Sequence, residues 1–131
     1  MWSSANTWND ALSEHQPVIA LMEQLRRRHR LFALTNTNVL HRQHMRAQFA
    51  ALEAVFHDWI ASCDVGLRKP DPEIYRLALS RAGVSPKEVM YVDDRPEMVE
   101  GGRSVGLQAI RFESCRQLAQ ALRAAGVILS D

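Results

Sequence analysis

Three polar landmarks interrupt the apolar runs of this chain, and their types suit phosphate chemistry. Thr35 follows Leu31-Phe32-Ala33-Leu34, and Asn36 comes next. Lys69 opens a proline-bracketed turn, Gly66-Leu67-Arg68-Lys69-Pro70-Asp71-Pro72. Asp93 and Asp94 end the run Val89-Met90-Tyr91-Val92. In an open parallel α/β sheet such residues lie at the carboxyl ends of strands, where that architecture binds its ligands. Phosphoryl transfer asks for positioning and charge neutralisation. Thr35 offers a hydroxyl donor, the Asn36 backbone N–H points the same way at a helix start, and Lys69 supplies a point charge. Asp94, with Asp93 assisting, offers hard oxygens to Mg²⁺, which takes one or two carboxylates and keeps several waters. Each residue also has a plain structural reading. Thr35 could cap a helix, Lys69 could be an exposed loop residue, and the two acids could cap the helix that follows.

No nucleophile stands out upstream. The acids before Thr35 are Asp10, Glu14 and Glu23, and none ends an apolar strand-like run.

The elements that must hold these residues alternate. From Pro17, the residues Val18, Leu21, Met22 and Leu25 repeat at helical spacing. Leu31 to Leu34 reads as a buried parallel strand, followed by a helix capped by Asn36 or Asn38 and running to about Leu52. A less clear strand falls within Phe56 to Cys63. Asp71-Pro72-Glu73 is a strong helix start, and Gly83 ends that helix. Ser85 to Glu88 has capping-box spacing, Val89 to Val92 is a strand, Pro96 to Val105 a helix, and Leu107 to Phe112 a strand. Ser114 caps a last helix that Gly126 closes. Such alternation implies an α/β fold, a parallel sheet with helices on both faces. Residues 1–16 lack a sustained period.

At 131 residues, with 47% hydrophobic and 24% charged residues and a formal net charge of +1, one globular domain is expected. That balance gives no electrostatic ground for nucleic acid or an anionic membrane. The run Arg26-Arg27-Arg28-His29-Arg30 falls at a helix end, where cations suit the dipole. It is read as a solvated helix end. Cys63 and Cys115 fit no ligand spacing and read as reduced thiols. His41 and His44 read as an exposed pair. No stretch is apolar enough to span a membrane, and the first residues lack a signal-peptide pattern. A cytoplasmic protein is expected.

In this order the motifs resemble the haloacid dehalogenase superfamily, mostly phosphatases, over Pro17 to Phe112. Ala33-Leu34-Thr35-Asn36 looks like its second motif. Gly66 to Tyr75 is similar to the third, with Lys69 as the cation, and Val92-Asp93-Asp94-Arg95-Pro96 looks like the fourth in its double-Asp form. The resemblance implies a three-layer Rossmann-like core and a Mg²⁺-dependent phosphatase acting on a small phosphorylated metabolite through an aspartyl-phosphate.

It also implies what is missing. The family's first motif, an Asp-x-Asp on a central strand between those ending in Thr35 and Asp94, has no counterpart here. On this reading residues 1–16 are a remnant of the helical cap or a linker. Residues 17–131 are a core that lacks its first strand, with most of the cap absent. Such a chain is expected to bind Mg²⁺ weakly, to be inactive alone, and to be marginal in stability or self-associating. The alternative is a non-catalytic remnant that binds phosphate or a partner. Met98, where relatives often place a polar residue, and Gly101-Gly102, where Ala is usual, are smaller departures. Bacterial receiver domains use similar groups, but there the acidic pair comes first and the Lys last. A dehalogenase needs no metal, so the double Asp favours a phosphatase.

Overall fold

The computed structural model describes residues 16–48 and 54–129. In chain order the elements are α1 (Gln16–Arg26), β1 (Phe32–Thr35), α2 (Val39–Gln48), β2 (Asp58–Ala61), α3 (Ser62–Val65), α4 (Pro72–Ala82), a 3₁₀ turn (Pro86–Glu88), β3 (Met90–Asp93), α5 (Pro96–Ser104), β4 (Gln108–Arg111) and α6 (Cys115–Ala124). The expected strands are all present, each four residues long: β1 and β3 start and end one residue later than expected, whereas β2 and β4 are trimmed within Phe56–Cys63 and Leu107–Phe112. The one-turn helix α3 is an addition that the sequence pattern does not announce. The helix starts follow local chemistry. The Asp71 carboxylate accepts from the Glu73 N–H, and the Ser114 hydroxyl accepts from the Gln117 N–H. The Glu88 carboxylate accepts from both the N–H and the hydroxyl of Ser85.

Among the described residues all pairing is parallel. Phe32 to Thr35 register with Asp58 to Ala61, and Met90 to Asp93 register with Gln108 to Arg111. Alternate side chains enter opposite layers, as strand geometry requires. Ala33, Trp59, Val92 and Ile110 join Leu21, Met22, Leu118 and Leu122 on the α1/α6 side. Leu34, Ile60, Tyr91 and Ala109 join Ile74, Tyr75 and Ala78 on the α4/α5 side. Both faces are therefore covered, which explains the nearly continuous apolar runs. The α2 crossover lies on the α1 side, where the Arg42 guanidinium sits 4.3 Å above the Trp59 ring. The α5 crossover lies on the other side. Right-handed crossovers on opposite faces step in opposite directions, so the chain reverses its direction of travel between β1 and β3.

Among the described residues the ladder β1–β2 and the ladder β3–β4 are not joined by a further ladder. Helix α4 and the side chains of Lys69 and Asp93 bridge them instead. A cavity of about 490 Å³ lies between the two pairs at their amino-terminal edge. Leu31 and Phe32 line one wall, Met90 and Val92 another, and Leu118 and Leu122 the roof. Arg28, His29, Lys87 and Glu88 form an exposed rim. The cavity opens to solvent at that rim.

The basic run is less free than its composition implies. Arg26 Nη1 donates to the carbonyls of Ala54 and Val55 at 2.7 and 2.6 Å. Arg30 Nη2 donates to the Ala82 carbonyl at 2.6 Å, closing the end of α4. These two arginines cap main-chain carbonyls while all five residues of the run stay exposed, as a solvated helix end requires.

Candidate active site

The reversal between β1 and β3 is the switch point at which open α/β sheets take ligands beyond the carboxyl ends of their strands. Thr35 ends β1 and Asp93 ends β3. Asn36 bonds the main chain of Lys69, and Lys69 pairs with Asp93, so the ends of the two strands meet at one edge. Thr35 is fully buried, and among the described residues its Oγ1 has no hydrogen-bond partner. A buried hydroxyl left unmatched costs on the order of 1–3 kcal/mol, so its direction calls for an explanation.

Asn36 next to it has a definite task. Its side-chain amide donates to the Lys69 carbonyl at 3.0 Å and accepts from the Lys69 N–H at 2.8 Å. This two-bond clamp fixes the main chain of Lys69 against the end of β1. Ser62 does the same for Thr37, its hydroxyl accepting from the Thr37 N–H and donating to the Thr37 carbonyl, each at 2.9 Å. The chain reaches Lys69 through Gly66, whose φ of 70° closes α3 in the left-handed region that glycine tolerates.

Lys69 is buried, and its Nζ lies 3.0 Å from Asp93 Oδ2. The same oxygen accepts from the Tyr91 hydroxyl at 2.7 Å, while Oδ1 accepts from the Arg95 N–H at 3.1 Å. The Asp93 carboxylate thus takes three donors. Burial holds the Lys69 ammonium below the usual lysine range, and the Asp93 charge offsets part of that effect. Asp94 is half-buried one residue on, and its carbonyl receives a long contact from Arg111 Nε at 3.4 Å.

A pair of tyrosines supports this arrangement from below. Tyr75 and Tyr91 meet edge to face, with ring centroids 5.3 Å apart. The Tyr75 hydroxyl donates to the Met98 carbonyl at 2.9 Å, and burial raises its pKa to about 12. These rings fill the space over Gly101 and Gly102. A Cβ on Gly101 would meet Pro70 Cβ at 2.8 Å and the Tyr75 hydroxyl at 2.9 Å. One on Gly102 would meet Tyr91 Cδ2 at 2.6 Å. The two glycines therefore trade helix propensity for close approach of the tyrosines.

The residues singled out from sequence reach one edge, in different states of engagement. Thr35 has its hydroxyl unmatched, the Asn36 side chain grips Lys69, and Lys69 and Asp93 form a buried pair. His41 lies in α2, whereas Cys63 and Cys115 are half-buried free thiols. Tyr91 was not among the expected site residues. Its signal was there, since a residue two before Asp93 on a strand shares its face. The large cavity sits at the opposite edge from Lys69, and a shallow 180 Å³ pocket, lined by Thr37, Ser62 and Arg68, opens on the carboxyl side. Among the described residues no helix is long and apolar enough to cross a membrane.

A family model for haloacid dehalogenase-like hydrolases matches residues 4–106. Phosphoserine phosphatase of Thermus thermophilus is 36% identical over 92 residues, covering 70% of this chain and 37% of that protein. Flavin mononucleotide hydrolase 1 of Arabidopsis thaliana is 38% identical over 69 residues, 53% of this chain and 28% of that one. The chain thus spans about a third of the length of these curated relatives. Among solved structures, a HAD family enzyme of Bacteroides thetaiotaomicron, in complex with magnesium and inorganic phosphate, superposes with a TM-score of 0.69 at 23% identity, over 75% of this chain and 52% of that one. An uncharacterized protein of Corynebacterium glutamicum has a TM-score of 0.80 at 16% identity, over 99% of this chain and 96% of its own. The fold, the match over residues 4–106 and the phosphatase relatives agree: the chain belongs to the haloacid dehalogenase-like hydrolase family.

Proposed function

We propose that this chain is the core of a phosphoric monoester hydrolase, derived from a Mg²⁺-dependent phosphatase of small phosphorylated metabolites, and that it does not turn over alone. The observation that carries this reading is the buried Lys69 ammonium, held by Asp93, at the same sheet edge as the unmatched Thr35 hydroxyl. Thr35 would donate to a phosphoryl oxygen and Lys69 would neutralise its charge, two tasks on which phosphoryl transfer depends. Asn36 would act through its grip on the Lys69 main chain. Relatives named for phosphoserine, flavin mononucleotide and pyrophosphate support a small phosphorylated substrate.

Mg²⁺ fits this donor set only at its lower limit. The Asp93 carboxylate already takes three donors, and among the described residues no group of three His, Cys, Asp or Glu side chains gathers. Asp94 would be its one protein carboxylate, with waters and phosphate completing the shell, and the bound cation would offset phosphate charge.

Inactivity follows from the nucleophile. Thr35 touches no base, because its hydroxyl has no hydrogen-bond partner among the described residues, and an alcohol without one is a weak nucleophile. The same observation favours a second reading, a module that holds phosphate without hydrolysing it. Assay p-nitrophenyl phosphate hydrolysis with Mg²⁺, and follow the backbone NMR signals of Thr35 and Asn36 while adding inorganic phosphate. No turnover, with phosphate shifts that Thr35→Val weakens, is expected. Robust turnover abolished by Thr35→Val would overturn the inactivity, and the absence of any phosphate response would overturn the site.

A further inference from the structure

We infer that Tyr91 is a positioning residue of the proposed phosphate site: through Asp93 Oδ2, its hydroxyl fixes where the Lys69 ammonium stands. A lysine is a point charge on a flexible four-carbon stem, so it serves a phosphate only where something holds its end in place. The Asn36 clamp fixes the Lys69 main chain and leaves that stem to Asp93, whose Oδ2 lies 3.0 Å from Nζ. A carboxylate is a poor anchor by itself, because its last torsion is broad and roughly two-fold. Two further donors hold it. Oδ1 accepts from the Arg95 N–H at 3.1 Å, and Oδ2 accepts from the Tyr91 hydroxyl at 2.7 Å. With each oxygen tied to a different group, the carboxylate plane cannot turn.

The hydroxyl can do this because the ring beneath it is itself fixed. Tyr91 lies two residues before Asp93 on β3, so the two side chains share a face. The ring is fully buried and meets Tyr75 edge to face. Gly102 of α5 lies so close that a Cβ there would stand 2.6 Å from Tyr91 Cδ2. Arg95 immediately precedes α5. Both oxygens of Asp93 thus take their orientation from α5, one through the Arg95 N–H and one through Tyr91. For packing alone the shape of a phenylalanine is sufficient, and burying a hydroxyl costs stability unless it is bonded. Here the hydroxyl donates to the very oxygen that also holds Lys69. The role rests on the reading of Lys69 as the cation for phosphate.

The test is Tyr91→Phe in the full chain, well below its melting transition and without added Mg²⁺. The Lys69 Hε protons report by NMR whether the ammonium is held, since a fixed side chain keeps their signals apart and a rotating one averages them. Titration with inorganic phosphate, followed at the Thr35 and Asn36 backbone signals, reports whether the held charge serves the site. Tyr91→Phe is expected to merge the Hε signals and to weaken phosphate binding by about threefold to tenfold, because the cation is loosened and not removed. Hε signals that stay apart, or an unchanged phosphate affinity, would leave Tyr91 a packing residue and overturn the role. If the wild type itself gives no phosphate response, the phosphate reading fails, and the Hε signals alone decide the positioning. If Tyr91→Phe does not fold, a fluorotyrosine at position 91 takes its place. Its fluorine signal should move as phosphate saturates the Thr35 response, and a signal that stays fixed at saturation would refute the coupling.

Discussion

Removing the Lys69 ammonium should expose how this fold balances a buried ion pair. Lys69→Met keeps an unbranched side chain of similar reach and leaves the Asp93 carboxylate, whose side chain is 0% exposed, without its cation. Breaking a buried pair on one side costs about 3–5 kcal/mol. The Tyr91 hydroxyl and the Arg95 N–H still serve Asp93, so the lower end, about 3 kcal/mol, is expected. Adding Asp93→Asn removes the stranded charge, keeps one oxygen to accept from the Arg95 N–H, and lets the amide N–H donate to the Tyr91 hydroxyl oxygen, which can rotate to accept it. The double variant should therefore recover about 2 kcal/mol relative to Lys69→Met. Urea unfolding of the wild type, both single variants and the double variant completes the cycle. With a slope of about 1–3 kcal/mol per molar, the recovery amounts to roughly 1 M in midpoint. The pH dependence adds a sign. Burial lowers the Lys69 pKa in the folded state, so between that value and the ordinary 10.5 the unfolded chain binds the extra proton. Stability from this group therefore rises with pH across that window, and Lys69→Met should remove the rise. Free energies of the two single variants that add to within about 0.5 kcal/mol would refute the reasoning, because they would mean that the two charges do not depend on each other.

Three further outcomes are expected. Gly102→Ala should destabilise by about 1–3 kcal/mol through overpacking, since its Cβ would lie 2.6 Å from Tyr91 Cδ2, and Tyr91→Leu should restore part of the loss; a thermal melt that rises instead would show that helix propensity outweighs the contact. Tyr75 has its pKa raised to about 12 by burial, so its contribution is whole below about pH 10 and fades as pH climbs through about 12. Tyr75→Phe should flatten that alkaline loss, and an unchanged alkaline limb in pH-dependent melts would refute the assignment. Mg²⁺ titrated by calorimetry should bind weakly to the wild type and more weakly still to Asp94→Asn, whereas equal binding by both would remove Asp94 as the ligand.

Sequence alone determined the strand–helix order and the helix starts, because both are local. Asp71-Pro72-Glu73 and Ser114 cap their helices through hydrogen bonds two or three residues away, and four-residue apolar runs are what a strand covered on both faces must have. The chemical types at the sheet edge were legible for the same reason, since Thr35 and Asp93 end such runs. The tertiary structure decided everything that joins residues distant in the chain. Asn36 reads as a helix cap or phosphate ligand until Lys69, 33 residues on, is seen in its grip. Gly101 and Gly102 read as weak points in a helix until the rings of Tyr75 and Tyr91 arrive above them. The basic run is exposed as its composition implies, but only the fold brings Arg30 to the carbonyl of Ala82. Whether β1 and β3 would close on one another was equally beyond the pattern. Each strand's sequence encodes which faces it buries, but backbone edges are the same for every residue type except proline. Which edges meet is therefore set by how the helices on both faces pack.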